Sequence, residues 1–452
     1  MNTDLLVSTD KEHLWHHITQ HKVFEKQDPM IITEGKGCVI KDQNGREYLD
    51  AVSGGVWCVN VGYGQDRIAN AVRSQLKKMP YYALTAGNPP AIELADKLTQ
   101  LLPTLQKVFF ANSGSEANEK AFKMSRQYFR LKYEAKDKYK IIYRYRDYHG
   151  TTIAALSATG QPERKLGYEP LVPGFVEMPH ACCYRCPFGK TYPGCNIDCA
   201  HALEKVIKQE REDTVAAVIL EPITAGGGII VPVDEYYGII KEICKKYEVL
   251  LIFDEVVNGF ARTGTMFGHQ HWNAEPDMVT MAKGMASSYA PISALMAKQE
   301  IFNQFLDEPG NALGYFRDIS TYGGCAGGMA AALENIKIIE EEKMCAHSAK
   351  IGKYFIERLN ELADLPVVGE VRGRGLFAGI ELVEDKKTKL AFNDQSMNKV
   401  VGMIKDDGVL VGRTSRSFPN QNNTLAFAPA LVVTKDEIDT IVAAVKKALE
   451  KC

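Results

Sequence analysis

VLLIFDE (249–255) and DMVTMAK (277–283) decide how this chain is read. Each is an apolar run of strand length, and each ends on a charge, Asp254 in the first and Lys283 in the second. A strand without polar alternation needs cover on both faces, as in a mostly parallel sheet. KVFFAN (107–112), KIIYRY (140–145) and VAAVILEP (215–222) are runs of the same kind. Helical periodicity fills the intervals at 66–78, 90–102, 115–132, 198–211 and 234–246. Strands alternating with helices predict an α/β fold, a mostly parallel sheet covered by helices. Ligands of such sheets sit at the carboxyl ends of strands, where Asp254 and Lys283 fall.

Before this region, the pattern predicts a helix over about 10–26. GCVIKDQNGREYLD (37–50) follows as a hairpin, with Asn44-Gly45 as a two-residue turn. After it come helices at 325–342 and 346–363, the apolar segment VRGRGLFAGIELV (371–383), a helix near 395–407 and a last one at 434–450. The expected division is an N-terminal segment, 1–64, packing with the small domain; a large cofactor-binding domain, 65–324; and an α+β small domain, 325–452.

The chain has 452 residues, 45% of them hydrophobic and 24% charged, with a formal net charge of −2. That is an ordinary globular composition with no basic track for a nucleic acid. No apolar run reaches membrane-spanning length. The opening MNTDLLVSTDKEHLWHH (1–17) is polar and mixed in charge, unlike a secretory signal, so the expected location is the cytoplasm. The eleven cysteines are then expected reduced. Five lie in HACCYRCPFGKTYPGCNIDCAH (180–201), a spacing open to two readings, a structural zinc clip or a surface loop of thiols; no metal ligand is assigned. Gly189-Lys190-Thr191 ends like a phosphate loop, but position 184 is Tyr where that motif needs Gly.

Several constellations carry chemistry. NSGSEAN (112–118) opens a helix after a strand. Its hydroxyls, its glycine and the free N–H groups of the helix end suit a phosphate; the same residues also make an ordinary N-cap. A buried Asp254 can hold a pyridine nitrogen protonated, or act as a structural carboxylate. Lys283 can form a Schiff base, or be a lysine at a strand end. Tyr148, in DYHG (147–150), can stack on a flat ring, and Thr321, in STYGG (320–324), can donate to a phosphate.

These motifs resemble, in order, the class III (omega) aminotransferases that carry pyridoxal 5′-phosphate (PLP) on fold type I. The resemblance also takes in SGGVWCVNVGYG (53–64), ILEPITAGGGIIVP (219–232), FDEVVNGFARTG (253–264), AKGMASSYAPISA (282–294) and APALVVTKDEID (428–439). It departs at Cys325-Ala326, where many relatives have His or Asn then Pro, and at Ala261, where Gly is more usual. It implies that Gly114 and Ser115 hold the cofactor phosphate, Tyr148 and Val256 flank the ring, Asp254 pairs with the ring nitrogen, and Lys283 is the Schiff-base lysine. It implies Glu221 beside the cofactor, and Thr321 reaching the phosphate of the neighbouring subunit in a homodimer whose active sites lie at the interface. The partners implied are an amino donor and a 2-oxo acid. GVLVGRTSRSFPNQNNTLAFAPAL (408–431) resembles the segment of members that take taurine as donor and pyruvate as acceptor. There Arg413 would bind the acidic group, Arg416 would add donors, and Trp57 would wall the substrate pocket. β-Alanine, 4-aminobutyrate or a simple amine is the alternative donor.

Overall fold

The computed structural model describes residues 3–133, 137–414 and 422–452. At its centre lies a seven-stranded sheet. Its strands are β4 (Lys107–Ala111), β5 (Lys140–Arg144), β6 (Phe175–Met178), β7 (Val215–Leu220), β8 (Leu250–Asp254), β9 (Met278–Met281) and β10 (Ser293–Ala297). Their order is β4-β10-β9-β8-β7-β5-β6. Neighbours pair parallel except around β10, which runs antiparallel to both β4 and β9.

Every residue of β7, β8, β9 and β10 is buried, as the unbroken apolar runs require. The pleat sends alternate residues to opposite faces. Ile252 and Ala217 join Phe122 and Phe129 of helix α4 (Gly114–Lys132) on one face. Leu251, Phe253 and Val218 join Leu203 of α6 (Asp198–Gln209) and Ile240 of α7 (Tyr236–Tyr247) on the other. The sheet is thus roofed on both sides, and the carboxyl ends of β7, β8 and β9 open on one edge.

Ahead of the sheet stand α1 (Thr3–His13), the strands β1 (Ile32–Lys36), β2 (Val39–Asp42) and β3 (Glu47–Asp50), and helices α2 (Asp66–Lys78) and α3 (Pro89–Leu101). The helix expected over 10–26 is instead α1 and a short 3-10 turn, His21–Glu25. Ile18 between them has φ 53°. No residue of α1 is buried, so no packed face carries it further. The β2–β3 turn is also a correction. Gly45 N–H donates to Asp42 O and Asp42 N–H to Arg46 O, giving three loop residues, with Gly45 alone at positive φ, 77°. Asp42 Oδ1 decides it by accepting from Asn44 N and Arg46 N.

The short helices α5 (Ile153–Ser157) and α8 (Gln299–Asn303) lie in loops of the large sheet. Beyond it, α9 (Ala326–Glu341) packs against α2 and α3. Next come α10 (Met344–Asn360), β11 (Val368–Gly373), β12 (Ala378–Asp385), β13 (Leu390–Ala391) and α11 (Asp394–Asp406). The chain ends with β14 (Val409–Leu410), β15 (Gly412–Arg413), β16 (Thr424–Phe427) and α12 (Lys435–Leu449). The segment 371–383 is a hairpin, β11 and β12 turning at 374–377, with Gly375 at φ 60°. β14 pairs parallel with β3, stitching the C-terminal part to the N-terminal hairpin. Among the described residues no helix is long and apolar enough to cross a membrane.

Two helical glycines give a test of this packing. A Cβ on Gly352 of α10 would lie 2.1 Å from the Gly375 carbonyl carbon, whereas a Cβ on Gly402 of α11 would meet nothing within 4 Å. Gly402→Ala should stabilise by about 0.5–1 kcal/mol through helix propensity. Gly352→Ala should destabilise by about 1–3 kcal/mol through overpacking. Urea midpoints that moved in the same direction for both would contradict the α10–Gly375 contact.

Candidate active site

A cavity of about 330 Å³ opens at the carboxyl ends of β4, β7, β8 and β9. Its walls include Asn112 to Ser115, Tyr148, Glu221, Asp254, Val256 and Lys283. Gly114, Ser115, Tyr148, Glu221, Asp254, Val256 and Lys283 therefore meet in one place, from five separated motifs.

Ser113 caps α4, its Oγ accepting from Glu116 N at 3.2 Å. Glu116 turns back to accept from Asn112 N and from Ser320 Oγ, at 3.1 and 2.6 Å. The cap and the start of a 19-residue helix thus border the cavity together. Ser115 Oγ accepts from Thr151 N at 3.1 Å. A side chain at Gly150, whose φ is 145°, would come within 2.5 Å of that oxygen, so only glycine fits there.

Asp254 is buried at the end of β8. Its Oδ2 accepts from Asn118 Nδ2 and meets His149 Nδ1, both at 2.8 Å, while Oδ1 accepts from Val256 N at 3.0 Å. Facing a carboxylate, Nδ1 is the nitrogen that carries the proton. Asn118 is itself fixed, by Thr280 Oγ1 at 2.7 Å and by the His149 carbonyl at 2.6 Å. The sequence reading passed over Asn118, His149 and Thr280. All three sit inside quoted motifs, yet no spacing signals that a helix, a loop and a strand bring them together around one carboxylate.

Lys283 follows β9 at φ 43°, a left-handed conformation uncommon for a side-chain-bearing residue. The turn cannot relax. A Cβ on Gly284 would lie 2.4 Å from Asn60 Nδ2, and Asn335 Nδ2 donates to both Gly284 O and Met285 O at 2.9 Å. Glu221 is buried and accepts from Tyr148 N and Ala225 N at 3.2 Å. Burial, with Asp147 and Asp254 nearby, holds its carboxyl well above the usual range. Burial likewise pushes the Tyr148 phenol up.

Other expected site residues lie elsewhere. Trp57 packs edge-on against Phe377 at 5.8 Å, and its neighbour Cys58 lines the cavity instead. Thr321 is exposed at the start of a short turn, off the cavity wall. Arg413 reaches Asp394 at 3.3 Å rather than the cavity. Arg416 lies outside the described residues. In the cysteine loop, Cys182 is buried and Cys183 exposed; among the described residues no three His, Cys, Asp or Glu side chains gather as a metal requires.

Residues 22–449 match the family model of class-III aminotransferases. The chain belongs to the class-III aminotransferase family. This aminotransferase is 52% identical to the taurine–pyruvate aminotransferase of Bilophila wadsworthia, over 98% of this chain and 96% of that one. It is 48% identical to the hypotaurine/taurine–pyruvate aminotransferase of Paracoccus denitrificans, over 99% and 97%. A Bacillus anthracis aminotransferase superposes with a TM-score of 0.95 at 39% identity, covering 100% of this chain and 99% of that one. The omega transaminase from Pseudomonas jessenii in complex with PMP gives 0.92 at 35%, covering 99% and 98%. The architecture is PLP fold type I, and the cofactor of this aminotransferase is PLP. The cavity suits it: a buried acid, a primary amine and a capped helix end converge where a pyridine nitrogen, an aldehyde and a phosphate need them.

Glu221 gives a pH test. A carboxyl raised above its ordinary value, near 4.5, binds a proton on folding, so its contribution to stability falls as pH rises above that value. Glu221→Gln removes this dependence while an amide oxygen can still accept from the two N–H groups. The variant's stability relative to the parent should therefore grow from pH 4.5 towards 8. Urea midpoints of cofactor-free protein across that range measure it, and a relative gain that shrank with rising pH would contradict the assignment.

Proposed function

We propose that this aminotransferase transfers the amino group of taurine to pyruvate, giving sulfoacetaldehyde and L-alanine. The observation that carries the reading is the agreement of its relatives. Proteins named for taurine and pyruvate are 46–52% identical to it over nearly the whole chain. A second reading keeps the chemistry and changes the donor to β-alanine, 4-aminobutyrate or an amine. A putrescine–pyruvate aminotransferase of Pseudomonas aeruginosa, 37% identical over 96% of this chain, favours it.

In this proposal PLP, when bound, supplies an electron sink beside the carbon that loses its proton. Gly114, Ser115 and the α4 end hold the phosphate by N–H and hydroxyl donors. Tyr148 and Val256 bracket the ring. Asp254, fixed by Asn118 and His149, keeps the ring nitrogen protonated. Lys283 anchors the cofactor through its amine. Once free, its Nζ takes the proton from the donor carbon that bears nitrogen. Glu221 stands beside the cofactor and Trp57 backs the substrate wall. Arg413 and Arg416 receive the acidic group of the acceptor. The Arg413–Asp394 contact is exposed on the Asp394 side, and surface pairs of this kind cost about 0–1 kcal/mol to release.

A homodimer with active sites at the interface is part of the proposal. Thr321 adjoins the exposed side chains of Ile319, Tyr322 and, through the Tyr81–Cys325 bridge, Tyr81 and Tyr82. Exposed apolar groups together mark a surface that another protein covers. A cytoplasmic location belongs to the same reading.

With pyruvate as acceptor, kcat/KM for taurine should exceed that for β-alanine, 4-aminobutyrate and putrescine. A much higher value for any of these would replace taurine as donor. Lys283→Ala should lower turnover by about 10²–10⁴-fold or more and abolish the visible absorption of lysine-bound cofactor. Undiminished turnover in that variant would refute its role.

A further inference from the structure

Thr280 is a polar residue on an apolar face of the large sheet. In the parallel pairing of β8 with β9 it stands beside Asp254, as Met278 stands beside Ile252. Met278 and Ile252 pack with Phe122 and Phe129 beneath α4. The pleat turns Asp254 and Thr280, two residues further along each strand, towards the same helix. Packing alone would be served at 280 by valine, which has the shape of threonine and suits a strand. Thr280 is instead fully buried with a hydroxyl that needs a partner. The hydroxyl donates to Asn118 Oδ1 at 2.7 Å.

That bond decides what the other end of Asn118 does. With Oδ1 accepting from Thr280, both Nδ2 hydrogens donate, one to Asp254 Oδ2 at 2.8 Å and one to the His149 carbonyl at 2.6 Å. A turned-over amide would set its oxygen against two acceptors, so the network assigns its orientation. The count around Asp254 is then tight. A carboxylate has about four acceptor positions. Asn118 Nδ2 and His149 Nδ1 occupy Oδ2, and Val256 N takes a place on Oδ1. The position left is on Oδ1, and Asp254 lines the cavity.

We propose that Thr280 is a positioning residue that, through Asn118, keeps the proton on the ring nitrogen of the cofactor. This rests on the reading above that Asp254 pairs with that nitrogen. A hydrogen bond received at Oδ1 polarises the amide and strengthens the donation from Nδ2. With its other positions filled, Asp254 meets the ring N–H as an acceptor of a charge-assisted bond and leaves the proton on nitrogen. Without the hydroxyl, Asn118 Oδ1 is a buried acceptor with nothing to accept, and the amide turns from Asp254 to relieve it. Thr280 itself does not line the cavity. The strand that carries it also leads to Lys283, so one strand end serves both the amine and the ring.

The test uses enzyme loaded with PLP isotope-labelled at the ring nitrogen, as parent, Thr280→Val and Thr280→Ser. Nitrogen NMR distinguishes a protonated from a bare ring nitrogen. The titratable groups that share the cavity with Asp254 are Tyr148 and His149 from the loop after β5, Cys58, Glu221 after β7 and Lys283 after β9, and all of them stand unchanged in these variants. In Thr280→Val the pH at which the ring proton is lost should fall by about one unit, the effect of one hydrogen bond, and Thr280→Ser should recover it. Thr280→Ala repeats the loss without placing a methyl against Asn118. A second readout separates positioning from structural support. In the pyridoxamine phosphate form the cofactor has no bond to Lys283, and its release on dialysis should be about 10-fold faster in Thr280→Val than in the parent. An analogue with CH in place of the ring nitrogen should leave parent and Thr280→Val at the same rate. Thermal melting of the loaded variants checks the fold. An unchanged ring titration in the hydroxyl-free variants, or equal acceleration for cofactor and analogue, would overturn the proposal. If Asp254→Asn shifted the titration while Thr280→Val did not, the Asp254 pairing would stand and Thr280 would fall. A titration unmoved by Asp254→Asn would remove the pairing itself, and the proposal with it.

Discussion

A carboxylate buried at the end of a central strand has to be satisfied, and Asp254 draws its partners from three directions. Asn118 comes from α4 on one face of the sheet, His149 from the loop after β5, and the Val256 amide from the chain just beyond β8. An unsatisfied charge at that depth would cost more than the fold can spare. The three donors therefore fix the helix, the loop and the strand end relative to one another. Thr280 of β9 extends the lock by holding the Asn118 amide, which brings in the strand that delivers Lys283. Catalytic geometry and core architecture here share one hydrogen-bond network.

Much of the fold was legible because buried strands leave a plain record. β7, β8 and β9 appear in the sequence as apolar runs ending within a residue or two of their structural limits. β10 was not legible as a strand: SALMA is short, small and embedded in a motif, and its antiparallel pairing with β4 and β9 is a matter of topology. The first helix was over-read because α1 has polar periodicity but no buried face. The hairpin turn was misread because the Asp42 side chain, rather than the Asn-Gly pair, sets its length.

The site was legible in its motifs and illegible in its supports. Lys283, Asp254, Gly114 and Ser115 stand in recognisable sequence contexts and meet at one cavity. The residues that hold them, Asn60, Asn118, Thr280 and Asn335, have side-chain amides or hydroxyls whose partners lie far away in sequence.

The pairing of β14 with β3 bears on how the molecule is assembled. Leu49 N and Ala51 N donate to Gly408 O and Leu410 O, and Arg46 reaches the Lys405 carbonyl across 359 residues of sequence. The segment bearing Cys58 and Asn60, which touches the cavity and props Gly284, grows directly out of this seam. On the ribosome that segment emerges well before its docking site, with more than three hundred residues between them (Arg46 and Lys405 are 359 apart). The large sheet can collapse early around its own helices, but the seam that seats the Asn60 segment closes only once β14 has been synthesised. Long-range closures of this kind slow folding. A nascent chain stalled before β14 would carry most of the core and an unfinished catalytic pocket.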